Sequence, residues 1–413
     1  MATIVKPAKA AAMGWLVVLL FFIVLLNYVD RGAISIAAPL MKPELGLNAT
    51  KYGLAASAFF WVYAPIQFGI GWSIDRFCVY RLLAAGVALW ALSTFLTGFV
   101  GGLAVLVALR LGLGLGEAFT FPAAAKIIAR HVPADQRGMA NAAIAMGIAF
   151  GPALGTFAGG LIAVHYGWRP IFLLFGAITL LWVLPWLKVA RSLPSYQPEG
   201  REEPTPVTPI LKSRAVWSMG LVHFTATYCL YFAVIWFPLY MVQQQGMTLE
   251  RMTLIVTTGF VAQGVAAFIY GWLSDRWTRS GRDEGTFRRW TMIFAQALLA
   301  AAIYALMSAR GEASLTFWMV FIGITNASGG VNLYAVAQIF AGPRATGGFV
   351  GIQNGLGNLS GIIGPIATGM IIDASGGYDL AFTLTAAVAA VGALGWAFLV
   401  PPIRPIDLDP VRN

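Results

Sequence analysis

The stretch FFIVLLNYVDRGAISIAAPL, residues 21–40, combines a long apolar run with two adjacent full charges, Asp30 and Arg31. A helix needs about 20 predominantly apolar residues to cross a bilayer, so this stretch predicts a membrane-spanning helix with both charges near its middle. An ionised side chain at that depth costs roughly 2.5–3.5 kcal/mol and normally faces a cavity or a partner. The Asp30–Arg31 pair is therefore the first candidate for a functional site.

The composition of the whole chain indicates a membrane protein. Hydrophobic residues make up 59% of the 413 residues and charged residues only 11%, whereas soluble domains carry about 25% charged residues. The apolar runs are continuous and do not alternate with polar residues as membrane β-strands do. We therefore expect an all-α integral membrane protein.

The apolar runs predict twelve spans, separated in the middle by one long polar segment. The spans are 14–40, 51–71, 82–102, 104–129, 138–163, 169–188, 215–242, 251–272, 290–309, 315–340, 346–372 and 379–400. The polar segment, RSLPSYQPEGREEPTPVTPILKSR, is rich in Pro and charge. We therefore expect an N-terminal six-helix bundle at 1–190, a cytoplasmic linker at 191–214 and a C-terminal six-helix bundle at 215–413.

The distribution of basic residues predicts the orientation in the membrane. Most of the 27 Lys and Arg residues fall in the termini and in alternate loops, which is the bias that marks cytoplasmic segments. We expect a multi-pass protein of the inner (plasma) membrane with both termini in the cytoplasm. The net charge of +10 then reflects topology, and no nucleic-acid partner is expected.

The two cysteines and the absence of ligand motifs argue against metal and redox chemistry. Cys78 and Cys229 form neither a zinc spacing nor a disulfide framework. Motifs of metalloproteases and serine hydrolases, such as HExxH and GxSxG, do not occur in the sequence. We therefore expect no metal, no cofactor and no enzymatic activity.

The two halves carry repeated segments. GWSIDRF at 71–77 and GWLSDRW at 271–277 each close the second span of a half, and GIAFGPALGTFAGG at 147–160 is echoed by GIIGPIATGMI at 361–371. Repeated halves with a binding site between them are typical of transporters that alternate access. The repeat therefore favours a transporter.

Two acid–base pairs in these repeats are candidates for conformational gating. They are Asp75 with Arg76 and Asp275 with Arg276. A loop carboxylate can interact with the positive end of a neighbouring helix and so bias one conformation. The alternative, a plain loop acid beside arginines that set topology, remains open for each copy taken alone.

Both copies resemble the G-x-x-x-D-R-x-x-x-R loop of the major facilitator superfamily, although Arg81 is the only base downstream of the first copy. Over its full length the chain resembles the anion:cation symporters, among them sialin, the vesicular glutamate carriers and bacterial galactonate and hexuronate carriers. The segments that carry the resemblance are NYVDRGAISIAAP, FWVYAPIQFGIGWSIDRF, RLGLGLGEAFTFPA, YFAVIWFPLYM and NGLGNLSGIIGP. The resemblance implies the major facilitator fold, with twelve transmembrane helices in two pseudo-symmetric six-helix bundles.

Span 4 contains a second charged pair, Arg110 and Glu117, which lie seven residues apart and so on one face of a helix. Together with Asp30 and Arg31 their charges sum to zero. We predict that Arg31 holds a carboxylate and that Asp30 and Glu117 are proton-coupling acids, with Arg110 as the counter-ion of Glu117. The resemblance implies the same four roles. Static ion pairs that fix span 1 against span 4 are the alternative, although apolar side chains would do so at lower cost.

The resemblance to sugar-acid carriers implies four further substrate contacts, namely Tyr28, Tyr63, Asn354 and Tyr334. The alternatives are core packing for the first two tyrosines and helix packing for Asn354, since Asn also mediates close helix contacts. Where sugar-acid carriers tend to place an amide in span 5, this chain has apolar residues at 144–146. A smaller or more apolar acid is therefore as consistent with the sequence as a sugar acid.

We expect proton-coupled symport of an organic anion, either a sugar acid such as galactonate or a hexuronate or another small carboxylate. The alternative is a proton-driven exporter of metabolites or drugs, for which membrane acids also suffice. Arg31 beside Asp30 favours anions. The expected partners are this small anion and the lipid bilayer, with H⁺ as the coupling ion, and we expect a monomer.

Overall fold

A computed structural model of the chain describes residues 10–70, 73–74, 77–132, 137–193 and 207–406. The helices of the described part are α1 Ala10–Glu44, α2 Ala49–Gln67, α3 Val79–Thr97, α4 Leu103–Glu117, α5 Thr120–His131, α6 Arg137–Tyr166, α7 Arg169–Ser192, α8 Val207–Lys212, α9 Arg214–Gln243, α10 Leu249–Arg279, α11 Glu284–Leu306, α12 Gly311–Gly342, α13 Ala345–Ser375 and α14 Asp379–Leu394. A π-helical turn, Gly395–Leu399, follows α14. The connection between α12 and α13 is short, and Gly342 turns the chain there with a positive φ of 62°, a conformation that glycine adopts readily.

The expected spans are confirmed, with changes at two places. Within the described residues, eleven helical segments are long and apolar enough to cross a membrane. Span 4 consists of two helices, α4 and α5, that join at a short turn after Glu117. Helix α10 continues to Arg279. The second copy of the repeat, GWLSDRW at 271–277, was expected as a loop and is therefore helical.

Helix α2 is the twelfth span, although its composition places it outside that apolar set. Its 19 residues give a length of about 28 Å, close to the thickness of the hydrocarbon core. The helix owes its lower hydropathy partly to Tyr52, Tyr63 and Gln67, all of which are buried against other helices. These three polar residues of α2 therefore face the protein, whereas Lys51 at the start of the helix is exposed.

Side-chain caps fix the start of several helices. Asn48, Thr248 and Asp283 each accept a hydrogen bond from the backbone N–H three residues later, at the first turns of α2, α10 and α11. These are the residue types that satisfy the free N–H groups of a helix start. The hydrogen bonds from Thr286 hold the pKa of Asp283 below its ordinary value, as expected for a carboxylate that accepts N–H donors.

The helices form two bundles, α1–α7 and α9–α14, which we call the first and second half. We call the end of the molecule that holds α8 the linker end, and the opposite end the far end. The halves contact each other where α1 packs on α9, α2 on α13 and α6 on α10. Most of the expected linker, residues 194–206, lies outside the described residues.

The two halves are closed against each other at the far end. The carboxylate of Asp373, at the end of α13, accepts hydrogen bonds from the backbone N–H groups of Ala49 and Thr50 at 3.0 and 2.8 Å and from the Thr50 hydroxyl at 2.6 Å. Gly53 and Gly369 allow the backbones to approach: a Cβ at Gly53 would lie 2.2 Å from the carbonyl oxygen of Pro365. An acid of the second half therefore caps a helix of the first.

Candidate functional site

A large cavity of about 2380 Å³ lies between the two halves. Its wall includes Gln67, Leu211 and Gly348, which belong to helix ends on the linker side, and Ile235, whose carbonyl accepts the Tyr52 hydroxyl at 3.3 Å near the far end. The cavity therefore opens toward the linker end and is closed toward the far end. This arrangement exposes the middle of α1 to one side of the molecule.

Arg31 lies on the wall of the cavity, inside a box of aromatic rings. Its guanidinium carbon is 5.1 Å from the ring centre of Tyr28, 5.4 Å from that of Phe59 and 5.2 Å from that of Tyr63. Cations are attracted to the faces of such rings, so the box orients the guanidinium. About a fifth of the Arg31 side chain stays exposed, and the group is accessible from the cavity.

Glu117 is fully buried behind Arg31 and pairs with it. The Nε of Arg31 donates to Oε2 of Glu117 at 3.1 Å. The role of Arg110 as counter-ion of Glu117 stays a prediction, and the direct ion pair is made by a second cation, Arg31, from α1. Two helical turns on one face of α4 keep Arg110 near Glu117, whereas the packing of α1 brings Arg31 into contact with it.

Arg110 reaches across to α2. Its Nη2 donates to the backbone carbonyl of Ala56 at 3.4 Å, and its guanidinium lies 5.4 Å from the ring centre of Phe59. Phe59 thus contacts both cations, Arg31 and Arg110. The ring attracts both of these buried positive charges.

Asp30, although adjacent to Arg31 in sequence, faces a different part of the bundle. Its Oδ2 accepts hydrogen bonds from the indole N–H of Trp90 at 2.5 Å and from the hydroxyl of Thr94 at 3.2 Å, both on α3. Asp30 does not line the large cavity but a small void that Arg110 also lines. The two charges that the sequence placed together therefore have separate surroundings.

The wall contributed by the second half carries a chain of neutral hydrogen bonds. The Tyr231 hydroxyl donates to Oδ1 of Asn358 at 2.7 Å, and Nδ2 of Asn358 donates to Oδ1 of Asn354 at 3.0 Å. The Tyr334 hydroxyl donates to the same Asn354 oxygen at 3.0 Å. Because this oxygen already has two donors, the amide N–H groups of Asn354 are the part of that side chain suited to a ligand.

The charge on the cavity wall is one-sided. Of the described residues that line it, those with a charge are the cations Arg31, Arg110, Lys126 and Arg130, all from the first half, and none is an Asp or Glu. Glu117 is withdrawn behind Arg31. A ligand in the cavity therefore meets positive charge on one side and neutral polar groups on the other, an arrangement suited to an anion with a polar remainder.

The wall contributed by α6 is apolar except for Thr156, in line with the apolar residues at 144–146. Ile144, Ile148 and Pro152 line the cavity, whereas Met146 points outward and is about half exposed. No Asn or Gln side chain of α6 belongs to the described wall, although sugar-acid carriers tend to have an amide at this point. This side of the cavity favours contact with carbon atoms over hydroxyl groups.

The structure brings most of the predicted site residues together. Tyr28, Arg31, Tyr63, Arg110, Tyr334 and Asn354 line the cavity, and Glu117 lies directly behind Arg31. Residues that were not assigned to the site include Phe59, Trp90, Thr94 and Tyr231. Tyr231 is the first residue of YFAVIWFPLYM, one of the segments that carry the resemblance, so the sequence could have indicated it. Trp90 and Thr94 belong to an ordinary apolar run that does not distinguish them.

The gating residues stand apart from the cavity. Asp275 and Arg276 are exposed in the last turns of α10, and the Arg276 guanidinium lies 5.6 Å from the ring centre of Trp272. Asp75 and Arg76 lie outside the described residues, so the comparison between the two copies stays a prediction. Across the part of the chain that the structure covers, no group of three or more His, Cys, Asp or Glu side chains could hold a metal ion.

Comparison with known families finds one match that spans most of the chain. The model of the Major Facilitator Superfamily matches residues 20–282 and 249–412. The first match covers the first half together with α9 and α10, and the second match runs from α10 to the end of the second half.

Curated relatives and a solved structure resemble the chain over nearly its whole length. The probable sulfoacetate transporter of Cupriavidus necator is 30% identical over 407 residues, covering 93% of this chain and 92% of the relative. The hexuronate transporter of Bacillus subtilis is 29% identical and covers 94% of each chain. The crystal structure of a bacterial homologue of the human lysosomal transporter Spinster matches with a TM-score of 0.82 at 18% identity, over 96% of this chain and 98% of that one, which shows the shared fold.

Proposed function

The chain belongs to the major facilitator superfamily, and on that premise we propose that it carries a small organic anion across the membrane together with protons, by alternating access. It is a multi-pass membrane transporter and not an enzyme. The relatives transport, by name, sulfoacetate and hexuronates, which share an acid group on a small carbon skeleton. That shared chemistry supports an anionic substrate here.

The observation that carries the proposal is the ion pair between Arg31 and Glu117 at the cavity wall. A guanidinium can hold a carboxylate through two parallel N–H donors, so Arg31 is able to bind either Glu117 or the acid group of a substrate. Protonation of Glu117 removes its charge and releases Arg31 toward the cavity. Proton binding and anion binding then favour each other through one side chain.

The remaining predicted residues act around the Arg31–Glu117 ion pair, some on the guanidinium and the substrate and others on the proton. Tyr28 and Tyr63 hold the Arg31 guanidinium in place from the aromatic box. The amide of Asn354 and the hydroxyl of Tyr334 bind the polar remainder of the substrate. Arg110 keeps the region positive while Glu117 is protonated. Asp30 is the second proton-coupling acid, held by its donors from α3.

Alternating access follows from the contacts between the halves. The cavity opens at the linker end, and the far end is closed by Asp373 on the start of α2. Opening of the far end requires these contacts to separate while the linker end closes. Asp275 and Arg276 at the end of α10, with their counterparts in the first half, bias this exchange.

The test is uptake into proteoliposomes under an imposed pH gradient, with labelled sulfoacetate and D-glucuronate as probes. We expect uptake that rises when the outside is acidified and counterflow without a gradient. The variant Arg31→Lys keeps the positive charge but loses the bidentate geometry, so we expect the apparent affinity for the anion to fall by roughly tenfold.

Arg251→Lys is the matched control, because Arg251 forms an exposed ion pair with Glu312 away from the cavity. The apparent affinity of Arg251→Lys for the anion should equal that of the wild-type protein. Acid-driven release of a lipophilic cation in place of anion uptake would establish the exporter alternative. An anion affinity unchanged in Arg31→Lys would remove Arg31 as the anchor.

A further inference from the structure

A buried histidine of α9 belongs to the cavity wall of the second half. His223 is 3% exposed and lines the cavity. Its Nδ1 lies 3.2 Å from Nε2 of Gln353 on α13. Its ring centre lies 5.7 Å from that of Tyr334 on α12, with the two rings at 88° to each other. Contacts from two neighbouring helices therefore hold this imidazole in one orientation.

The orientation of the Gln353 amide follows from a second contact. Gln353 is completely buried, and its Nε2 also donates to the backbone carbonyl of Leu333 at 3.2 Å. A carbonyl oxygen can only accept, so the amide nitrogen faces it. The amide oxygen has no hydrogen-bond partner among the described residues. The reversed amide would lose the bond to Leu333 and place one oxygen against another, so the two contacts of the nitrogen decide the orientation.

The contact with Gln353 fixes the state of the imidazole. A ring nitrogen that accepts a hydrogen bond carries no proton, so the ring is neutral and its proton is on Nε2. This second nitrogen makes no hydrogen bond within the part of the chain that the structure describes. Gly357 packs against the ring, where an added Cβ would lie 2.6 Å from Cγ and Cδ2. The edge formed by Cε1 and Nε2 is therefore left to meet the cavity.

An N–H donor at this place matches its neighbours on the same wall. The Tyr334 side chain contacts the His223 ring and donates to the amide oxygen of Asn354, whose N–H groups are suited to a ligand. The second half thus presents N–H donors without adding charge to the cations of the first half. Such donors bind oxygens that accept hydrogen bonds, and they lose their hydration without replacement against an alkyl group.

We propose that Gln353 is a positioning residue that fixes the Nε2–H form of His223, and that this N–H group selects anions with a second acceptor group. The inference rests on the proposed function, in which Arg31 holds the acid group of the substrate. It adds the substrate class, namely a short anion that carries sulfonate, carboxylate or carbonyl oxygens away from the acid group that Arg31 holds.

The first test locates the proton without any ligand. The chain has three histidines, so NMR spectra of the purified full-length protein with ¹³C- and ¹⁵N-labelled histidine contain three rings, and His223→Gln identifies the ring of interest. We expect its proton on Nε2 in the wild-type protein. In Gln353→Glu an oxygen acceptor faces Nδ1, so the proton should move to Nδ1.

Gln296→Glu is the matched control for the first test. Gln296 is buried and lines the cavity, and in the described part of the chain it makes no hydrogen bond to His223. The same new acid at this position should leave the proton on Nε2. A proton on Nε2 in Gln353→Glu would contradict the role of Gln353. If that variant does not fold, a proton on Nδ1 in the wild-type protein would contradict it equally.

The second test asks which ligands meet the N–H group. Sulfoacetate and tert-butylacetate share an acetate and a tetrahedral second group, which is a sulfonate in the first and a tert-butyl group in the second. In wild-type protein, saturating sulfoacetate should move the Nε2–H proton signal of His223 downfield, because an N–H that donates to an oxygen is deshielded. Saturating tert-butylacetate should leave the signal in place. By calorimetry, the preference for sulfoacetate should fall roughly tenfold in His223→Phe.

The possible failures are distinguishable. If neither acid binds to the wild-type protein, the anion site of the proposed function is contradicted, wherever the proton on His223 lies. If sulfoacetate binds but leaves the Nε2–H signal in place, or if His223→Phe keeps the full preference, only the selection by His223 is contradicted.

Discussion

Arg31 and Glu117 neutralise each other from positions 86 residues apart in the chain. Glu117 has no exposed surface, and Arg31 has a little on the cavity side. A charge buried to this degree is costly without its partner, whereas removal of both charges is often neutral. The pair should therefore behave as a unit in stability as well as in transport.

Loss of Arg31 alone should destabilise the protein. We expect Arg31→Met to lower the free energy of unfolding by about 3 kcal/mol at neutral pH, because Glu117 is then a buried charge without its ion pair. The double variant Arg31→Met/Glu117→Gln should recover more than half of that loss. Thermal unfolding of the purified proteins measures both. Arg251→Met, which opens an exposed pair, should cost less than about 1 kcal/mol, and additive effects of the two site substitutions would contradict the pairing.

Glu117→Gln should separate transport from the proton gradient. Glutamine resembles the protonated acid, so Arg31 stays free for the anion while no proton is carried. We expect exchange of labelled anion for unlabelled anion to persist, and accumulation against a gradient to lose its dependence on the imposed pH difference. The measurement is counterflow beside pH-driven uptake in the same proteoliposomes. Accumulation that still follows the pH gradient would assign proton coupling to another acid, with Asp30 as the first candidate.

At the scale of the helices, the start of α2 depends on a carboxylate from the other half. Asp373 caps this helix through two backbone N–H groups and one hydroxyl. Within the first half, Glu44 makes a comparable contact and accepts hydrogen bonds from Trp168 and Arg169 at 2.6 Å each. The Asp373 contact joins the two halves and must break if they move apart. The Glu44 contact lies within the first half and is unaffected by such a movement.

Asp373→Ala should favour the conformation that is open at the far end. A lost cap of this kind costs typically about 1 kcal/mol, equivalent to a roughly fivefold shift between two conformations. The measurement is the labelling rate of a cysteine at Ala49, which is buried beside Gly369, in a background without Cys78 and Cys229. Labelling should rise about fivefold. Glu312→Ala, which removes an acid of an ion pair inside the second half, should leave the rate unchanged, and an equal rate in Asp373→Ala would refute this role of Asp373.

At the scale of the whole molecule, the two halves enclose one cavity that faces one end only. The positive side of its wall comes from the first half and the neutral hydrogen-bonding side from the second. A substrate that contacts both sides therefore links the halves. Movement of one half against the other would carry the bound anion from one end of the molecule to the other.

Opposite changes in accessibility at the two ends test this movement. A cysteine at Leu211, which lines the cavity at the linker end and is exposed, should react quickly, and one at Ala49 slowly. Addition of sulfoacetate at acidic pH should slow the first reaction and speed the second, because closure of one end accompanies opening of the other. The measurement is maleimide labelling of purified single-cysteine proteins. Parallel changes at both positions would indicate general loosening and would contradict alternating access.

The sequence by itself determined the class of protein, the number of spans, the duplication and the charged residues of the site. The bilayer makes these features visible in the sequence, because a spanning helix must be apolar over its length and a charge inside it is costly unless it faces a cavity or a partner. It also predicted that Arg31, Arg110 and Glu117 belong together. The family match and the relatives agree with that class.

Only the tertiary structure decided which charges face each other. The seven-residue spacing of Arg110 and Glu117 indicates a common face of α4, but it cannot tell which helix packs there. The contact of α1 with α4 pairs Arg31 with Glu117, and its contact with α3 surrounds Asp30 with Trp90 and Thr94. Helical periodicity fixes directions around one axis, whereas partners depend on distances between axes, and those are set by the packing of all helices together.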